Sequence, residues 1–347
     1  MSVSLSPLLG VDARLGEYGD IVRAAIAEGV PLDWPEEWLR IVVADYPARG
    51  GKAIRPALCL ATCEAFGGRV IEALPSAVAI ELMHNAFLVH DDIEDSSQLR
   101  RGIATLHDAH GLPLALNAGD ALMVLAQRAL GANVATLGAR IATRVAGEFS
   151  TMAYHTIQGQ ATELGWIRDG IVDLGPDDYL ELVMRKTCWY TTVHPLRVGA
   201  LIGSWGSADL EAMVRFGFLL GAAFQIRDDV LNLVGDERAY GKEVLGDLIE
   251  GKRTLMLLHL LRAAGGSDRS RVVDFVRTPR TARTPDGAAA ILELMRRHES
   301  IQFAEHFAAG VSEDAERSFE AAFGRRANTP AGEFVRALIP YMVERSI

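Results

Sequence analysis

The chain predicts an all-α fold, and three observations carry that expectation. Apolar residues recur at three- and four-residue steps through long stretches rich in Ala, Leu, Met and Glu, the period of helices with one face turned inward. No alternating strand pair flanks an Asn-Gly or Asp-Gly turn. Turn-forming residues fall between the periodic stretches, at Gly50-Gly51, Gly67-Gly68, Gly111-Leu112-Pro113, Gly175-Pro176 and Gly265-Gly266.

In chain order, the pattern predicts helices over 53–66, 71–95, 115–137, 138–163, 177–203 and 207–234. In the second, Ile80, Met83 and Phe87 lie near one apolar stripe, and Asp91 continues that line one turn later. Several of these helices are apolar nearly all round, which places them in the middle of a large bundle. The segment Arg277 to Gly287, polar and twice interrupted by proline, reads as a mobile surface connection, and its arginines as solvated. Helical pattern resumes beyond it, so the expectation is one domain over 1–347, with a core at about 30–264 and C-terminal helices over 286–347.

Composition narrows the function. The 347 residues are 49% hydrophobic and carry a net charge of −10, so a nucleic-acid backbone would meet repulsion. Cys59, Cys63 and Cys188 form neither a disulfide framework nor a zinc pattern and read as buried, reduced thiols. The N-terminus lacks the basic start and apolar stretch of a signal peptide, and no apolar run reaches the length of a membrane span. A cytoplasmic protein is expected.

The chemistry-bearing residues are two acidic clusters that echo each other. Asp91, Asp92 and Asp95 follow AIELMHNAFLVH and close the 71–95 helix. Asp228, Asp229 and Asn232 repeat the spacing within GAAFQIRDDVLNLVG. Residues i, i+1 and i+4 of a helix fall within an arc of about 100°. Carboxylates that close repel each other unless cations neutralise them, and burying them unpaired is costly. Hard cations suit oxygen ligands, and Mg²⁺ suits them best where phosphate supplies the remaining ligands. Facing each other in a bundle, the clusters could hold several Mg²⁺ ions and one polyanion.

Basic residues complete the pattern. Lys52 and Arg55 open a helix, a good anion site. Arg100 and Arg101 follow the first cluster, Lys186 and Thr187 interrupt an apolar helix, and Lys242 and Lys252 follow the second cluster. Singly, each reads as a surface charge; with two acidic clusters, they suggest a site for two diphosphates. Gly50-Gly51-Lys52 lacks the spaced glycine, the following Ser or Thr and the strand of a P-loop. His84 and His90, six apart, fall on different faces of one helix, which disfavours zinc.

These motifs, in this order, resemble the trans-type isoprenyl (polyprenyl) diphosphate synthases, most like a geranylgeranyl diphosphate synthase. GGKAIRP resembles GGKxxRP, the first acidic cluster with Arg100-Arg101-Gly102 resembles DDxxD then RRG, GQATEL resembles GQxxDL with Glu163 for Asp, and FQIRDDVLN with GDLIEGKRT resembles the second aspartate-rich motif. The likeness covers Gly50 to about Thr254, continuing weakly to Ser300–Ala304 and to Tyr341 and Arg345.

The resemblance implies an isoprenoid synthase-type bundle around a deep central cavity, a homodimer, and a prenyltransferase that joins isopentenyl diphosphate to an allylic diphosphate (dimethylallyl, geranyl or farnesyl). It implies that Lys52, Arg55, His84 and Arg101 bind isopentenyl diphosphate. Asp91, Asp92, Asp95, Asp228, Asp229 and Asn232 would form the metal region for three Mg²⁺ ions, with Gln160 close by. Arg100, Lys186, Lys242 and Lys252 would grip the allylic diphosphate, with Thr187 and Gln225 beside the developing cation. Asn232 for Asp weakens one metal position, and Ala53 removes a positive charge common there.

Product length is read just before Asp91. Small Ala86 lets the chain pass, while Phe87, with Met83 one turn below, forms a floor that suits geranylgeranyl diphosphate. A farnesyl or longer product is the alternative. A class I terpene cyclase shares the bundle but has no need of Lys52, Arg55 and His84. A regulatory subunit would be expected to lose the aspartates, and five of the six positions keep them.

Overall fold

The computed structural model describes residues 7–235 and 245–343. Lys242 and Arg345 lie outside the described residues. The first helices are α1 (Pro7–Gly29), α2 (Ile41–Ala48), α3 (Ile54–Ala65) and α4 (Val70–Glu94). Then come α5 (Leu106–His110), α6 (Leu112–Arg168), α7 (Pro176–Val183), α8 (His194–Gly203) and α9 (Glu211–Val234). After 245 follow α10 (Gly246–Glu250), α11 (Leu255–Ala263), α12 (Gly266–Arg277), α13 (Pro285–Arg297), α14 (Ser300–Phe323) and α15 (Pro330–Val343).

The helices form where the apolar period puts them. Along α4, Ile80, Leu82 and Met83 are buried, each contributing roughly 1.5–3 kcal/mol. The α6 helix is broken at Gly138, where the sequence separates two helices. Thr254 and Thr284 accept hydrogen bonds from Leu257 N and Gly287 N and so cap α11 and α13. The α4 and α6 helices pack along each other, α3 packs on α8, and α9 packs on α14. Buried apolar residues from Val11 to Met342 form one continuous cluster. No helix among the described residues is long and apolar enough to cross a membrane.

The structure departs from the sequence expectations at three places. Within 177–203, Met184–Val193 is π-helical rather than α-helical. Leu99–Arg100 pairs antiparallel with Ile103–Ala104. The turn is Arg101-Gly102, both at positive φ, as a tight two-residue hairpin turn requires. Finally, Arg283 in the 277–287 connection is buried, not solvated.

Candidate active site

The C-terminal halves of α4 and α9, both halves of α6, α7 and the π-helical segment enclose a cavity of about 680 Å³. Phe87, Leu88, Met123, Ile157, Leu182 and Phe224 supply apolar wall. Asp91, Glu94, Asp228, Asp229 and Asp247 supply carboxylates, and Arg55, Arg100, Lys186 and Lys252 supply cations. Asp91 of the first acidic cluster and Asp228 and Asp229 of the second, distant in sequence, thus meet on one space, whereas Asp95 lies off the cavity lining.

At one end lies a basic group. Arg55 donates to His84 Nε2 at 3.3 Å, to the Tyr190 hydroxyl at 3.0 Å and to Thr191 Oγ1 at 3.0 Å. Its guanidinium lies 4.5 Å from the Tyr190 ring centre. Since a guanidinium only donates, His84 Nε2 is the acceptor and Nδ1 carries the proton. That Nδ1 is buried and has no protein partner. Burial, then Arg55, Arg101 and Arg100, hold His84 well below the ordinary histidine range, so the ring is neutral. The hairpin turn sends Arg101 away from Arg100 and alongside Gly51. The Lys52 ammonium sits 5.1 Å from the Tyr341 ring centre.

At the other end, lysines thread between carboxylates. Lys186 pairs with Glu163 and lies 3.6 Å from Asp91. Burial opposes its charge, but Glu163 and Asp91 outweigh it and raise its pKa. Lys252 reaches Asp95 at 3.1 Å, Asp247 at 3.3 Å and Glu250 at 2.6 Å. Even so, burial pushes the Asp95 carboxyl up to about 6. Asp229 accepts from Tyr179 at 2.8 Å and Gln225 at 2.6 Å, yet burial and Asp247 push it well above the carboxylate range.

Two features position the lysine, the π-helical turns and a glycine of α6. Wider turns bring Lys186, Thr187 and Tyr190 to the cavity wall together. Gly159 of α6 lets the segment approach: a Cβ there would collide with the Lys186 backbone nitrogen.

Some expected residues face elsewhere. Asp92, one helical step round from Asp91, accepts from Tyr46 at 2.6 Å and from Arg100 Nε at 3.0 Å, and does not line the cavity. Asn232 Oδ1 instead accepts from Asp247 N at 3.1 Å, fixing the start of α10. Met83 and Ala86 are buried off the cavity, whereas Phe87 lines it. Conversely, Glu94, Asp247, Tyr179, Tyr190 and Thr191 serve the site without having been singled out. Asp247 lies inside a quoted motif; a lone Tyr or Thr in an apolar helix carries no comparable signal.

An all-helical bundle whose apolar cavity opposes a basic pocket to a carboxylate-and-lysine bank defines a class: an enzyme that handles an anionic, largely hydrocarbon substrate. Residues 36–295 match the polyprenyl synthetase family. The chain is 34% identical to the short chain isoprenyl diphosphate synthase of Methanothermobacter thermautotrophicus over 262 residues, 76% of this chain and 78% of that one. It is 33% identical to the geranylgeranyl diphosphate synthase of Sulfolobus acidocaldarius over 261 residues, 75% and 76% of the two chains. The structure resembles a geranylgeranyl pyrophosphate synthetase from Pyrococcus horikoshii with a TM-score of 0.86 and 29% identity, covering 98% of this chain and 100% of that one. The chain belongs to the polyprenyl synthetase family, and it is a prenyltransferase of isoprenoid biosynthesis.

Proposed function

We propose that this enzyme joins isopentenyl diphosphate to an allylic diphosphate and releases geranylgeranyl diphosphate. The observation that carries this reading is the pair of cation groups on one cavity: Arg55 held by His84, Tyr190 and Thr191, and Lys186 and Lys252 set among carboxylates, with apolar wall on the same space. A single-substrate cyclase needs only the second.

Arg55, His84, Arg101 and Lys52 bind the isopentenyl diphosphate, and the proton on His84 Nδ1 faces its oxygens. Arg100, Lys186, Lys242 and Lys252 grip the allylic diphosphate. The donor types fit Mg²⁺: carboxylate oxygens from α4 and α9 line one cavity with room for phosphate oxygens as further ligands, which would be needed because among the described residues no three carboxylates converge on one point. We assign Asp91, Asp95 and Asp228 to three ions, with Asp92, Asp229, Asn232 and Gln160 in support. When bound, the ions stabilise charge on the departing diphosphate.

The protein's own residues do the rest. Lys186 and Arg100, held charged by Glu163 and Asp92, stay donors to the leaving group throughout. Thr187 Oγ and the Gln225 amide oxygen lie beside the allylic cation. The double bond of isopentenyl diphosphate attacks that cation, and one proton then passes to the released diphosphate. Apolar wall excludes the water that would quench the cation. Phe87 meets the growing chain and stops it at geranylgeranyl length; farnesyl or longer products are the competing outcome.

We also infer a single-domain protein of the cytoplasm, consistent with three free, buried cysteines. It is a homodimer joined through α6, whose outer face exposes Leu116, Val124, Val134 and Tyr154. The test of the activity is product chromatography after incubation with isopentenyl diphosphate and each allylic starter.

A further inference from the structure

The connection between α12 and α13 carries arginines that the mechanism above does not use. Arg283 is buried, and its hydrogen-bond partners are all backbone carbonyls: Ile249 at 2.9 Å, Val276 at 3.0 Å and Phe275 at 3.4 Å. It therefore ties the last turn of α10 to the end of α12, where helix carbonyls lack intrahelical partners. Directly after Ile249 and Glu250 comes Gly251 at φ +88°, and a Cβ there would run into the Arg283 guanidinium. On the other side of this turn, Arg253 donates to Ile171 O at 2.9 Å, to Trp166 O at 3.0 Å and to Gly251 O. The turn is clamped between two guanidinium groups.

Lys252 stands between them, lines the cavity and pairs with Asp95 at 3.1 Å. One more bond from the same connection, Arg280 to Ser96 O at 3.3 Å, touches the chain just past Asp95. Segment 280–283 therefore contacts both stretches whose charges meet at the Lys252–Asp95 pair. An apolar side chain could fill the Arg283 space without the cost of burying a charge. What the guanidinium adds is a rigid fork of donors that fixes direction.

We propose that Arg283 is a positioning residue for the reaction: it locks the Ile249–Lys252 turn so that the Lys252 ammonium reaches the allylic diphosphate. This rests on the role given to Lys252 above.

The experiment compares Lys252→Ala, Arg283→Gln and the double variant in steady-state assays, with each substrate varied in turn at saturating Mg²⁺. Arg283→Gln is expected to lower kcat/KM for the allylic diphosphate about tenfold or more, as loss of a supporting hydrogen-bond partner does. The KM for isopentenyl diphosphate should stay within about twofold by the same reasoning. Because Arg283 acts through Lys252, the double variant should be no worse than Lys252→Ala alone. If Arg283→Gln does not fold, Arg283→Lys, which keeps charge and bulk but not the fork, should show the same split. Additive losses in the double variant, or equal losses for both substrates, mean that Arg283 is merely structural and overturn the proposal. Should Lys252→Ala itself leave the allylic substrate unaffected, the reading of Lys252 fails first, and the proposal with it.

Discussion

His84 and Asp92 show how single residues are set by what they touch. Neutral, with Nε2 already occupied by Arg55, His84 keeps one donor, its buried Nδ1 proton. His84→Phe removes that donor and should raise the KM for isopentenyl diphosphate about tenfold, with little change for the allylic partner; equal effects on both would contradict the assignment. Asp92 is buried against Arg100, with Tyr46 as second donor. Asp92→Ala leaves the buried Arg100 guanidinium with Asp91, at 3.6 Å, as its remaining carboxylate and should cost about 1–3 kcal/mol in urea unfolding; no measurable loss would show that the pair is not what holds Arg100. His194 predicts a pH dependence. Burial, then Arg197, lower its pKa to about 3, while an unfolded histidine titrates near 6.5. The native state therefore refuses a proton that the unfolded chain accepts. Its contribution to stability is complete above about pH 6.5 and declines as pH falls from there toward 3. His194→Phe, which keeps an aromatic ring beside Phe149, should reduce the slope of stability across that window without removing it, since His84 is depressed too; an unchanged slope would exclude His194 as a source.

Elements differ in how legibly the sequence announces them. Helices α4 and α9 were readable because their apolar stripes keep helical period up to the aspartates, and the break at Gly138 was readable from the change of pattern. The π-helical segment was not: a widened turn leaves an apolar stretch that still reads as α-helix. Nor was the Leu99–Ala104 hairpin, whose two-residue strands are too short to alternate and whose turn is Arg-Gly. Yet these two elements aim Lys186, Tyr190, Arg100 and Arg101. The site was therefore legible as an inventory of charges, while its geometry came from elements without a sequence signature. Gly159→Ala tests the π-helical segment: the added methyl pushes Lys186 outward, and kcat should fall about 100-fold, the scale expected for a misplacement near 1 Å. Activity close to wild type would mean that the segment adapts freely. Along α4, Phe87→Ala should lengthen the product; unchanged chain length would remove Phe87 as the floor.

Across the whole molecule, a continuous core from Val11 to Met342 supports one cavity with two chemically distinct ends. Outside it, α6 exposes Leu116, Val124, Val134 and Tyr154, and the homodimer proposed through this face predicts that wild type sediments as a dimer and Val134→Asp as a monomer; a monomeric wild type would refute that interface. Everything above turns on whether both ends of the cavity are used in one reaction. The direct measurement is to supply farnesyl diphosphate and Mg²⁺ with and without isopentenyl diphosphate and to identify the products. The predicted result is geranylgeranyl diphosphate only when both substrates are present, and no hydrocarbon from farnesyl diphosphate alone. A cyclised or hydrocarbon product formed without isopentenyl diphosphate would contradict the account.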